Sequence, residues 1–158
     1  MEARTGGEPV RRGRTAGPHT WLCAPPAPGW WLAGVGVDVA DVARLARVRS
    51  RRELLTHVCA PEELPPPADR ARVSDRFAAQ IWAAKEAVAK SLGTGFWQAG
   101  IGWPDVRVGP DLVVRLAGAA RSLAGPARFD LAFEAEGTRP EVVVARVLRW
   151  LPPEGRVL

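Results

Sequence analysis

Asp38, Glu86 and Lys90 are the charged residues of this 158-residue sequence whose types and spacing suit chemistry on a phosphate ester. Trp82, Glu86 and Lys90 are spaced by four, so on a helix they stack along one stripe. Lys85 lies about 100° around the same helix, nearer its apolar flank. The plain reading of Glu86 and Lys90 is an i,i+4 surface ion pair worth about 0.2–0.5 kcal/mol. Asp38 closes an apolar run just before a helix, where it can cap that helix or face a site. If Asp38 and Glu86 converge, they supply hard oxygen ligands for Mg²⁺, which keeps several waters and accepts phosphate oxygens. A lysine one turn from the glutamate would then neutralise charge on a transferring phosphoryl group. Spacing alone leaves both readings of each residue open.

The elements that must position these groups are legible in outline. Residues 32–39, Leu-Ala-Gly-Val-Gly-Val-Asp-Val, read as a buried strand, followed by a helix from about Asp41. Pro61 with Glu62 and Glu63 opens a short helix that Pro65, Pro66 and Pro67 stop. The clearest helix runs from Ser74, its N-cap, to Leu92, with Asp75 in the first turn. Phe77, Ile81, Ala84, Val88 and Leu92 fall on one apolar face, and Gly93 and Gly95 stop the helix. Beyond it, Val106 and Val108 alternate, Gly109-Pro110 turns the chain, and 111–116 reads as a second strand. An Ala-rich helix over 117–124 ends at Gly125-Pro126. Phe129, Leu131 and Phe133 alternate in a further strand, and after a turn at 136–138 the last strand covers 141–150. This order predicts one α+β domain, an antiparallel sheet packed with a long helix, over residues 32–151. Residues 1–31 read as a flexible basic leader rich in Pro, Gly and Arg, from which Trp30 and Trp31 lead into the first strand and pack on the core. Residues 152–158 read as a tail.

Composition narrows the partners. Apolar residues make up 47% and charged residues 25%, which suits a globular domain with its own core. Prolines interrupt the early apolar stretches, and no run has the length of a membrane span or signal peptide. Cys23 and Cys59 match no zinc or redox spacing, so a reduced, cytoplasmic protein is expected. The net charge of +5 favours an anionic partner: nucleic acid, a phosphorylated small molecule or an acidic protein. Nucleic-acid binding would rest on charge alone, since no helix-turn-helix or RNA-binding signature is present.

Three segments, in order, carry a resemblance. Gly34-Val35-Gly36-Val37-Asp38-Val39, with Arg44 six residues beyond the aspartate, is similar to the opening motif of holo-acyl-carrier-protein synthases. Cys59-Ala60-Pro61-Glu62-Glu63-Leu64 resembles their second element. Trp82 to Lys90, followed by Gly93-Thr94-Gly95, resembles their signature helix and glycine turn; the tryptophan is similar to that of the larger surfactin-type relatives. The chain is thus identified as a member of the 4′-phosphopantetheinyl transferase family, of the small single-unit type, over roughly residues 33–150. The resemblance implies transfer of 4′-phosphopantetheine from coenzyme A to a serine of an acyl carrier protein in fatty-acid or polyketide synthesis, releasing 3′,5′-ADP. It implies that Asp38 and Glu86 hold Mg²⁺, that Glu86 and Lys90 are catalytic, and that Lys85, Lys90, Gly93 and Gly95 bind coenzyme A. It also implies a homotrimer. Carrier proteins are acidic, and Arg44, Arg47 and Arg51, spaced i, i+3, i+7, would form the docking stripe on the helix after the first motif, which would otherwise be a solvated basic face.

Two positions depart from the family pattern. Phe133 stands where the strand normally ends in a histidine near the nucleophile, and Ile81 replaces an arginine before the helix's aromatic. Phenylalanine cannot accept a proton, and loss of a general base typically costs ~10²–10⁴-fold. His19 and His57 are poorly placed to compensate, His57 reading as a helix-surface residue; Glu134 and Glu136 would substitute only with a shift of strand register, and the resemblance to the larger relatives implies Glu86, acting through water, as a candidate base. The alternative is a catalytically impaired homologue that binds carrier proteins or coenzyme A.

Overall fold

The computed structural model describes residues 24–48, 51–134 and 141–153, apart from the side chains of Val48, Arg51 and Ala71. Strand β1, Trp31–Asp41, is followed by the short helices α1, Val42–Val48, and α2, Arg51–Val58. Two 3-10 turns, Pro61–Glu63 and Pro67–Arg72, lead into the long helix α3, Asp75–Ser91. The hairpin strands β2, Val106–Val108, and β3, Val114–Leu116, precede helix α4, Gly118–Ala124, and strands β4, Arg128–Phe133, and β5, Val142–Leu151, complete the fold. Strands β1, β5 and β4 form an antiparallel sheet in that order, and β2 pairs with β3 in a separate hairpin. The fold is α+β, as expected, with α3 lying across the inner face of the larger sheet.

Local chemistry accounts for α3. The Ser74 hydroxyl accepts the Phe77 amide at 3.1 Å, satisfying one of the first-turn donors. Ile81, Ala84, Val88 and Leu92 are buried as the 3.6-residue period requires, and Phe77 is half-buried. Ala79, Ala83, Ala87 and Ala89 are buried too, because α3 is enclosed between the sheet and the segments on its other flank. The approach to the sheet is backbone to backbone. A Cβ on Gly36 would overlap the Ala87 carbonyl oxygen, and one on Gly34 the Ser91 carbonyl oxygen. Glycine at these two positions of β1 is what lets the helix lie this close.

Several expectations need correction. Trp30 is buried and stacks under the Arg128 guanidinium, 5.1 Å from the ring centroid, but Trp31 is 52% exposed, because β1 turns it to the outer face of an edge strand. The strand expected over 111–116 shortens to Val114–Leu116. Asp111 accepts the Val113 amide through its side chain and Leu112 adopts φ 60°, so 109–113 is consumed by the turn. Arg44 and Arg47 are exposed on α1, whose start is capped by Asp41 Oδ1 accepting the Arg44 amide at 2.7 Å. Arg51 instead opens α2, so the three arginines belong to two helices rather than one stripe, and the Arg51 side chain lies outside the described residues. Trp21, His19, Cys23 and most of the expected leader and tail also lie outside them.

Candidate active site

The register of the sheet places Asp38. Residues directly opposite one another on antiparallel strands share a face, and Asp38 stands opposite Ala145, which stands opposite Phe133. That row faces α3. Lys90, in the last turn of α3, reaches back to it: Nζ donates to Asp38 Oδ1 at 2.7 Å and to the Val37 carbonyl at 3.2 Å. The Asp38 side chain is 14% exposed and that of Lys90 48%, so the pair sits at the solvent edge of the contact between β1 and α3. The ion pair expected along the helix surface, Glu86 to Lys90, is thus redirected across the interface to Asp38.

Glu86 lies one turn before Lys90 on the same side. Its carboxyl is pushed up from its ordinary value of 4.5, first by burial and then by the Asp38 charge, with Lys90 pulling the other way. Two carboxylates close enough that the Asp38 charge raises Glu86, with the half-exposed Lys90 ammonium on Asp38, form a donor set suited to a hard divalent cation. Among the described residues no cluster of three or more His, Cys, Asp and Glu residues gathers to make a closed metal cage. Two protein oxygens with the remaining positions open suit Mg²⁺, which retains waters and takes phosphate oxygens.

The turn after α3 is shaped by its glycines. Gly93 and Gly95 adopt φ 88° and 80°, and the Gly95 amide donates to the Ala89 carbonyl at 3.2 Å. Nothing lies within 4 Å of where a Cβ would stand on either, so these glycines serve backbone conformation. Trp82, on the same stripe as Glu86, packs on Trp103 with centroids 4.7 Å apart, and Trp103 packs on Phe96 at 4.0 Å. These contacts hold the loop beyond the glycine turn against α3.

Lys85 is where the structure departs most from expectation. Its side chain is wholly buried, and Nζ donates to the Val58 carbonyl and Glu63 Oε2, each at 2.6 Å, and to the Trp103 carbonyl at 3.3 Å. All three ammonium protons are used, so Lys85 is not a direct contact for coenzyme A. Glu63 is equally committed: Oε2 also accepts the Ala60 amide at 2.7 Å and Oε1 the Val108 amide at 2.6 Å. Sequence reasoning missed this pair because the partners are 22 residues apart and Glu63 reads as one of two adjacent acids in a short helix.

The two departures also find their places. Ile81 is 7% exposed within the hydrophobic core, and Phe133 packs against that core from the Asp38 row. An imidazole at 133 would stand on the same row as the aspartate; the phenyl ring supplies an apolar wall instead. His57 is on the α2 surface, as expected.

Comparison with known proteins gives the family and the fold. The family model of the 4′-phosphopantetheinyl transferase superfamily matches residues 34–134. The holo-acyl-carrier-protein synthase of Hydrogenovibrio crunogenus is 35% identical over 80 residues, covering 49% of this chain and 61% of that protein. The one from Alkalilimnicola ehrlichii is 42% identical over 85 residues, 51% of this chain and 63% of that protein. The match therefore spans somewhat over half the length of these relatives. Among solved structures, the Mycobacterium tuberculosis acyl carrier protein synthase superposes with a TM-score of 0.56 at 26% identity, covering 77% of this chain and 100% of that one. The Plasmodium yoelii acyl carrier protein synthase with ADP bound shares the fold, with a TM-score of 0.61 at 21% identity over 77% of this chain and 96% of that one. With the strand aspartate, the helix glutamate and lysine, and the glycine turn all inside the matched segment, the chain belongs to the 4′-phosphopantetheinyl transferase superfamily.

Proposed function

We propose that this chain transfers 4′-phosphopantetheine from coenzyme A to a serine hydroxyl of an acyl carrier protein and releases 3′,5′-ADP. The observation that carries the reading is the pairing of Lys90 on α3 with Asp38 on β1, with Glu86 one turn back on the same stripe and within reach of the Asp38 charge. In the transfer, the serine oxygen forms a bond to the phosphorus bearing the pantetheine arm, and the bond from that phosphorus to the oxygen of 3′,5′-ADP breaks. Asp38 and Glu86 would hold Mg²⁺ on the diphosphate, where the ion neutralises charge on the phosphoryl oxygens. Lys90, released from Asp38, swings its ammonium to the diphosphate and stabilises charge as it builds on the leaving oxygen. Phe133 offers no proton acceptor, so Glu86 takes the serine proton through a water. The Gly93–Gly95 turn presents open backbone to coenzyme A. Arg44 and Arg47, exposed on α1, together with Arg51, supply positive charge for an acidic carrier.

The assembly expected from the resemblance also has support. Val35, Val37 and Val39 are 55%, 46% and 59% exposed on the outer face of β1, an edge strand, with Trp31 and Leu32 beside them. An apolar sheet face of this kind is suited to further copies of the chain, and we assign it to a homotrimer. A cytoplasmic place fits the free Cys59 thiol, and no helix among the described residues is long and apolar enough to cross a membrane.

The deciding experiment incubates the full chain with coenzyme A, Mg²⁺ and apo acyl carrier proteins and reads the carrier by intact-mass spectrometry. A mass gain of one phosphopantetheine, lost with Asp38→Ala, is the expected result. Carrier binding without any mass gain would overturn transfer and leave a carrier-binding module.

A further inference from the structure

The Lys85–Glu63 pair is used by no step of the proposed transfer, yet it is among the most deeply buried charged groups described, with the two side chains 0% and 2% exposed. A buried ion pair is weak ground for stability, since desolving two charges offsets most of their attraction. What such a pair supplies without ambiguity is direction. Lys85 Nζ binds the carbonyl that ends α2, the carboxylate of the Pro61–Glu63 turn and the carbonyl of Trp103; through Glu63 the same knot takes the amide of Val108 in β2. Four separate segments are thereby fixed to one point of α3, and that point is the residue before Glu86.

The opposite side of α3 is tied toward its two ends, by Arg76 on the Val142 carbonyl and by Lys90 on Asp38 and the Val37 carbonyl, and otherwise rests on the sheet. There the helix meets β1 through Gly34 and Gly36, which present bare backbone and no interlocking side chain. The glycine contact sets how near the helix lies and by itself restrains its roll about its own axis little. With side chains about 5–6 Å from the helix axis, a roll of about 20° moves the Glu86 carboxylate by about 2 Å. That displacement equals the whole metal–oxygen distance of about 2.0–2.1 Å that Mg²⁺ demands.

We propose that the buried Lys85–Glu63 pair is the positioning device of this site: it locks the roll of α3 and so sets the separation of the Glu86 and Asp38 carboxylates, and with it the selectivity for a small octahedral cation. The proposal rests on the reading of Asp38 and Glu86 as the cation's ligands. Lys85 and Glu63 touch neither substrate nor cation, and they act through Glu86.

The test is the ratio of two affinities. Mg²⁺ needs near-ideal octahedral geometry, whereas Ca²⁺ tolerates variable distances and coordination numbers. The double variant Glu63→Gln/Lys85→Met removes both charges together and so avoids leaving one buried and unpaired. With coenzyme A present and no carrier protein, calorimetric titration of each cation is expected to show Mg²⁺ affinity falling about 10-fold or more and Ca²⁺ affinity less than about 3-fold, as loosened ligand geometry requires. A purely structural pair would leave the Mg²⁺/Ca²⁺ ratio of the folded protein unchanged, and that outcome overturns the proposal. Lys85→Arg keeps the charge pair, displaces its geometry and is judged by the same ratio if the double variant does not fold. A parent chain that binds neither cation in the presence of coenzyme A sinks the assignment of the metal ligands, which is a different failure.

Discussion

At the scale of single residues, Lys90 and Glu86 play opposite parts before any substrate arrives. Lys90 is tied to Asp38 at 2.7 Å, so it shields an anion that the proposed function sets against a cation. Lys90→Ala is expected to lower kcat by ~10²–10³-fold, the size typical of losing one preorganised charge-stabilising group, measured as the initial rate of carrier modification. Glu86 is held above its ordinary value of 4.5 by burial and by Asp38. A carboxyl raised in the folded state favours folding while it is protonated: that contribution is complete below the ordinary carboxylate range and is lost as pH rises through the elevated value. In metal-free buffer, Glu86→Gln is therefore expected to raise Tm at neutral pH, and the gain should vanish as pH falls into the carboxylate range. A scan of Tm against pH for the two chains checks both the sign and the window.

Among the elements, the contact of β1 with α3 decides the geometry. Gly36 lies under Ala87 so closely that an added methyl must push strand and helix apart. Gly36→Ala is expected to destabilise the fold by about 1–3 kcal/mol or more, as overpacking at an interface without slack does, and to weaken Mg²⁺ binding with it. Denaturant unfolding measures the first and calorimetry the second. These two glycines read from the sequence as part of a motif ending in an aspartate, but the reason for them is a distance between two backbones. The α3 elements were legible: the Ser74 cap, the apolar face and the glycine stop all act within one or two turns. The 109–113 turn was less so, because Asp111 competes for the backbone of a run whose valines otherwise suit a strand.

For the whole molecule, the outer face of the β1–β5–β4 sheet is the largest unspent feature. Val39 stands at 59% exposure opposite Val144. Val39→Asp places a charge where the proposed trimer would bury it without a partner, at a site already flanked by Asp38 and Asp41. Sedimentation is expected to show the mass of a single chain for this variant and three times that for the parent. A monomeric parent would remove the trimer from the proposed function and leave the apolar face unexplained.

What the sequence determined by itself was whatever short-range rules decide: the extent of α3, the alternation of β4 and β5, the order of three motifs and the stripe that carries Glu86 and Lys90. Tertiary structure decided every pairing. It gave Lys90 to Asp38 rather than to Glu86, buried Lys85 and gave it to Glu63, set Phe133 on the aspartate's row, and turned the valines of β1 outward. Helical and pleated periodicity arises from neighbours within a few residues, so spacing reveals it. Partners 22 or 52 residues apart are chosen by sheet register and by which segment covers which face, and those follow only from the packing of the whole chain.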